Sequence, residues 1–116
     1  MILDFDAKEQ AAGHYKGGFG FNPLIATCAR EVLAGVLRPG SAGANNAADH
    51  LRVLELALEQ LPESALDGEI LARSDSAGAS HEFAGACRET QIRFSLGYPI
   101  NSRVREQILA LDESAW

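Results

Sequence analysis

The chain has 116 residues, 47% of them hydrophobic and 22% charged, with ten Lys and Arg against sixteen Asp and Glu and a net charge of −6. That length suits one domain with a single core that needs neither metals nor disulfides, and the composition belongs to neither a disordered nor a membrane-embedded chain. No apolar run approaches the roughly 20 residues that span a bilayer, and the acidic balance argues against a free-standing nucleic-acid binder. No basic leader precedes Ile2-Leu3-Asp4-Phe5-Asp6. Cys28 and Cys87 make no CxxC pair, so a reducing, cytoplasmic location is expected.

In chain order, Ile2 to Asp6 reads as a strand start and His14-Tyr15-Lys16-Gly17-Gly18 as a turn. Phe19 to Cys28 reads as a second strand whose first half Pro23 confines to an edge or bend. Glu31 to Leu37 reads as a third, with Thr27 to Arg30 as the hairpin loop between the two. Pro39 to Asn46 carries the strongest loop signal. Ala47, Leu51, Leu54, Leu58 and Leu61 then form one apolar stripe of an amphipathic helix, capped by Asn45 or Asn46 and stopped by Pro62.

Glu69 to Arg73 reads as a strand running into Ser74-Asp75-Ser76-Ala77-Gly78. Ser80 caps a predicted helix from His81 to Thr90, with Phe83, Ala84 and Cys87 inward. Ile92 to Ile100 starts with the alternation of a half-buried strand and closes at Pro99. Asn101 or Ser102 caps a last helix with Val104, Ile108 and Leu111 on one side. Three consecutive strands followed by strand–helix alternation predict an α/β chain with a mixed sheet of about five strands and helices packed on it.

Asp4 and Asp6 lie two apart on a strand and share a face. Asp75 sits where a strand gives way to a loop, the end at which open α/β sheets place ligands. If the strands of Asp6 and Asp75 are neighbours, the two carboxylates can face one another across about 4.8 Å of backbone spacing. Such hard oxygen donors repel unless a cation lies between them, and Mg²⁺ takes one or two carboxylates plus phosphate oxygens. The alternative is that each Asp caps a turn or faces water. Among the histidines, His50 and His81 sit at helix starts, where capping contacts outweigh metal binding.

Several segments, in order, carry a resemblance: Leu3-Asp4-Phe5-Asp6-Ala7; Lys16-Gly17-Gly18-Phe19-Gly20-Phe21-Asn22-Pro23-Leu24; Leu37-Arg38-Pro39-Gly40; Ala42-Gly43-Ala44-Asn45-Asn46-Ala47-Ala48-Asp49-His50; and Arg73-Ser74-Asp75-Ser76-Ala77-Gly78 with His81-Glu82-Phe83. Together they resemble the catalytic core of bacterial insertion-sequence transposases of the DDE class, which have a ribonuclease-H-like fold. The resemblance covers nearly the whole chain. It implies that Asp6 and Asp75 are the first two catalytic acids and hold Mg²⁺ or Mn²⁺. One metal would activate the attacking water or 3′-hydroxyl, and the other would steady the leaving oxygen of phosphoryl transfer at transposon-end DNA.

The departures from that pattern shape the expectation. Ala7 runs directly into Lys8-Glu9-Gln10, where the family has Thr and a further short stretch. Residues 1–116 are therefore expected to be a partial core, truncated at both ends. Neither Glu106 nor Glu113 matches the family's third acid, so inactivity alone and weak or no DNA binding are expected. Association with intact transposase is the non-catalytic alternative, marked by an exposed apolar patch. A haloacid dehalogenase-type phosphatase, suggested by Asp4-Phe5-Asp6, lacks its downstream Lys, because Lys8 and Lys16 both lie too early.

Overall fold

The computed structural model describes residues 1–7, 21–39 and 46–115. Strands β1 (Ile2–Ala7), β2 (Phe21–Cys28), β3 (Glu31–Pro39), β4 (Leu71–Ser74) and β5 (Arg93–Leu96) form one sheet in the order β3-β2-β1-β4-β5. The β3–β2 and β2–β1 pairs are antiparallel and the β1–β4 and β4–β5 pairs are parallel. This is the mixed five-stranded sheet that the strand–helix order predicts, consistent with a ribonuclease-H-like fold. The glycine-rich segment 16–20 and most of the 39–46 loop fall outside the described residues, as does Trp116.

Helices α1 (Ala47–Glu59) and α3 (His81–Glu89) pack together, α1 against β2 and β3 and α3 against β5. Alternation along the strands turns Leu3, Phe5, Leu24, Ala26 and Ala72 into this layer, where they are buried with Val53, Leu54 and Ala57 of α1 and Phe83 and Cys87 of α3. Each large side chain fully buried in this way contributes about 1.5–3 kcal/mol of transfer free energy. At the centre, the rings of Phe5 and Phe83 meet edge to face at 5.3 Å between centroids, a favoured aromatic geometry.

The caps fall where the sequence places them. Asn46 accepts from the Ala48 amide, Ser80 from Phe83 and Asn101 from Val104, each satisfying an amide that the helix cannot. The buried stripe of α1 is His50, Val53, Leu54 and Ala57, with Leu51, Leu58 and Leu61 at its flanks. The predicted stripe shares only Leu54 with the buried one, because the helix contacts the sheet and α3 together.

Other expectations need adjustment. The β2–β3 turn is only Ala29-Arg30, with Cys28 paired to Glu31 and a register shift at Ala26/Thr27. A short helix α2 (Glu63–Leu66) follows Pro62, whose fixed φ suits a helix start as well as a stop. Strand β5 is four residues, not nine, and Phe94 on this edge strand is partly exposed. Helix α4 (Ser102–Leu109) has no fully buried residue: Val104 and Ile108 are half-buried and Leu111 is exposed.

Candidate metal and phosphoryl-transfer site

β1 and β4 run parallel with Ile2 opposite Leu71, Leu3 opposite Ala72, Asp4 opposite Arg73 and Phe5 opposite Ser74. Asp6 follows Phe5 within β1 and Asp75 follows Ser74 just past the end of β4, so the topology brings the two predicted acids to neighbouring positions beyond the last paired residues. Phe5 points into the core, and alternation turns Asp6 to the opposite face, on which Asp4 also lies. Both Asp6 and Asp75 are exposed.

Their surroundings differ. Asp75 is the N-cap of a 3₁₀ turn, Ser76–Gly78, and its Oδ1 accepts from the Ala77 amide at 2.9 Å. Its backbone carbonyl accepts from Gly78 at 3.2 Å, and the Ser74 carbonyl before it accepts from Gly97 at 2.8 Å. The turn-capping alternative weighed for Asp75 thus describes one of its oxygens, while Oδ2 takes no part in the cap. Among the described residues, no hydrogen bond or ion pair engages the Asp6 carboxylate, while its backbone is paired opposite Ile25.

Asp4 plays a different part. Its Oδ1 accepts from Arg73 Nε at 2.7 Å and its Oδ2 from Arg73 NH2 at 3.0 Å, a two-point pairing across the strands. These bonds hold the Asp4 carboxyl below its ordinary pKa and raise that of Arg73. With both oxygens so engaged, Asp4 is poorly placed as the nucleophile that the phosphatase alternative needs. Composition gives no hint of this pair, since its partners are 69 residues apart and only the parallel register brings them together.

Among the described residues, no group of three or more His, Cys, Asp and Glu is arranged to hold a metal ion. What the strand ends offer is two carboxylates. That donor set is chemically suited to a hard divalent cation whose remaining positions go to water and phosphate oxygens. No described helix is long and apolar enough to cross a membrane.

The comparisons agree with this geometry at the level of fold. The catalytic domain of Mos1 mariner transposase superimposes with a TM-score of 0.59 at 10% identity, over 90% of this chain and 52% of that one. A structure of the Mos1 transposase catalytic domain and raltegravir with Mn gives 0.57 at 11% identity, over 96% of this chain and 71% of that one. The chain thus spans about half the length of the first of these structures. No curated protein sequence matches it. The family described as Transposase DDE domain group 1 matches residues 2–116, and the chain belongs to that family.

Proposed function

We propose that this chain supplies the first two acids, Asp6 and Asp75, of a DDE-type phosphoryl-transfer site acting on transposon-end DNA. The observation that carries the reading is the β1–β4 register, which ends at Phe5 and Ser74 and leaves the two acids next in line. Membership of the transposase family supports it, as does the fold shared with the catalytic domain of Mos1 transposase, one structure of which is titled with Mn.

In this reading Asp6 and Asp75 would hold Mg²⁺ or Mn²⁺, whose bound form supplies activation of a water or 3′-hydroxyl and neutralises charge building on the phosphate oxygens. The protein's own contribution is placement. The Asp4–Arg73 pairing fixes the register of the two strands one residue before the paired ends. The Asp75 cap engages one carboxylate oxygen, and the other would be available to a ligand. By the family resemblance neither Glu106 nor Glu113 supplies the third acid, so the 116-residue chain alone is expected not to cut DNA.

Mn²⁺ titration of the purified chain, followed by electron paramagnetic resonance, tests the site. Binding should be lost in both Asp6→Asn and Asp75→Asn, and binding that survives both would overturn the reading. Supercoiled plasmid incubated with the chain and Mn²⁺ should stay intact, and Asp75-dependent nicking would refute the expected inactivity.

A second reading, association with intact transposase, is favoured by Phe21, Val32 and Leu37, which are 55–66% exposed on β2 and β3. Co-purification of the two proteins, weakened by Leu37→Asp, is its expected signature.

A further inference from the structure

His50 lies one turn into α1 and is 1% exposed, its ring meeting the edge of Phe83 at 5.8 Å. Nδ1 stands 3.0 Å from the Asn46 carbonyl oxygen. A carbonyl can only accept, so Nδ1 carries the hydrogen, and in the neutral ring the lone pair is left on Nε2. Among the described residues, that Nε2 is buried without a partner, and so is the hydroxyl of Ser74, the last residue of β4.

The two orphan atoms share a neighbour. A Cβ placed on Gly78 would lie 2.3 Å from Ser74 Oγ and 3.3 Å from His50 Cδ2, the carbon bonded to Nε2. Glycine here therefore leaves room for the Ser74 side chain beside the imidazole edge that carries Nε2, an acceptor near a hydroxyl that has a hydrogen to give. Buried polar atoms in folded proteins are nearly always paired, and these two are chemically complementary.

We propose that His50 is a positioning residue for the Asp75 turn, its Nε2 linked to the Ser74 hydroxyl hydrogen across one water molecule. The other fastenings of this turn are local or come from the Gly97 amide. The His50–Ser74 link adds one from α1, so the helix holds the strand end that presents Asp75. The consequence for metal affinity rests on the reading of Asp75 as a ligand, whereas the ordering of the turn does not.

The test uses the full chain. Long-range ¹⁵N NMR should show His50 with its hydrogen on Nδ1, and Ser74→Ala should move the Nε2 resonance. Amide exchange at Ala77 and Gly78, the donors to Asp75, should quicken about 10-fold in Ser74→Ala and in His50→Asn. The double variant should be no worse than either single one, as expected for two residues acting through one contact. His50→Gln, whose amide oxygen can stand in for Nε2, should restore much of the protection.

Mn²⁺ affinity should fall about 10-fold in the same two variants, as when a group that orients a metal ligand is removed. An Nε2 resonance and amide exchange both unmoved by Ser74→Ala would overturn the proposal, even where His50→Asn fails to fold. Wild-type chain that binds no Mn²⁺, or binds it equally after Asp75→Asn, would sink the metal reading alone. The resonance and exchange results would then still decide the His50–Ser74 contact.

Discussion

Asp4 and Arg73 are opposite one another in the parallel register of β1 and β4 and are joined by two hydrogen bonds, at 2.7 and 3.0 Å. Because they directly precede the residue pair where the ladder ends, they act as a pin on the strands that carry Asp6 and Asp75. Arg73 places its fork against a single carboxylate, a geometry that lysine cannot reproduce. Arg73→Lys should therefore lower the melting temperature in thermal denaturation. A charge-preserving exchange with no effect on melting would show that the pin is dispensable.

The same pair has a pH signature. The pKa of Asp4 lies below its ordinary value of 3.8 in the folded chain, chiefly because Arg73 donates hydrogen bonds to its charged form. A depressed carboxylate contributes stability above its unfolded pKa and loses it as pH falls through the folded value. The stability gap between wild type and Asp4→Asn, measured by urea denaturation, should thus be full near neutrality and close below about pH 4. A gap that does not narrow at all as the pH falls below 3.8 would mean that Asp4 acts through something other than its charge.

Cys87 behaves oppositely. Its thiol is fully buried, and burial pushes its pKa up from 9.0 to about 11. A raised pKa leaves stability intact below pH 9, and the stability is lost as the pH climbs through that window. By pH 11 the loss should reach about 2–3 kcal/mol relative to Cys87→Ser corrected for its own packing cost. Under native conditions a thiol reagent should modify half-buried Cys28 well before Cys87.

Helix α3 ends in a Schellman motif with an unusual residue. The Ile92 amide donates to the Cys87 carbonyl at 2.7 Å and the Gln91 amide to Arg88 at 3.1 Å, while Gln91 sits at φ 57°. That left-handed position favours glycine. Gln91→Gly should stabilise the chain by about 0.5–1 kcal/mol in urea unfolding.

Two glycines should respond to the same substitution with opposite signs. Gly78→Ala drives a methyl against Ser74 Oγ and Cβ, at 2.3 and 2.6 Å, and should cost about 1–3 kcal/mol as an overpacked contact. Gly85, in α3, has nothing within 4 Å of its missing Cβ, so Gly85→Ala should gain about 0.5–1 kcal/mol. Thermal denaturation of both variants reads out the contrast.

The sequence made the elements legible where signals were local. Asn46, Ser80 and Asn101 identify their own helices because a cap needs only a neighbouring amide. The likeness to DDE transposases singled out Asp6 and Asp75, and the strand–helix order is met by the sheet. Long-range partners were not legible. Arg38 looks like a surface charge but is buried, bonded to the Asn22 carbonyl oxygen and side chain and 3.7 Å from Asp49 of α1. His50 reads as a capping residue, and its Nδ1 contact to Asn46 fits that, but its burial beneath Phe83 depends on where α3 docks. The predicted apolar side of the last helix, Val104, Ile108 and Leu111, has the period of a core helix, yet Val104 and Ile108 are only half-buried and Leu111 is exposed.

The parallel seam between β1 and β4 also bears on how the protein forms. The β2–β3 hairpin closes across a two-residue turn, whereas Asp4 meets Arg73 across 69 positions of chain. Closing so long a loop costs entropy before any contact rewards it. The β1–β4 pairing is therefore expected to form after the β2–β3 hairpin, and a nascent chain that has emerged only through β3 holds Asp6 without the strand that precedes Asp75.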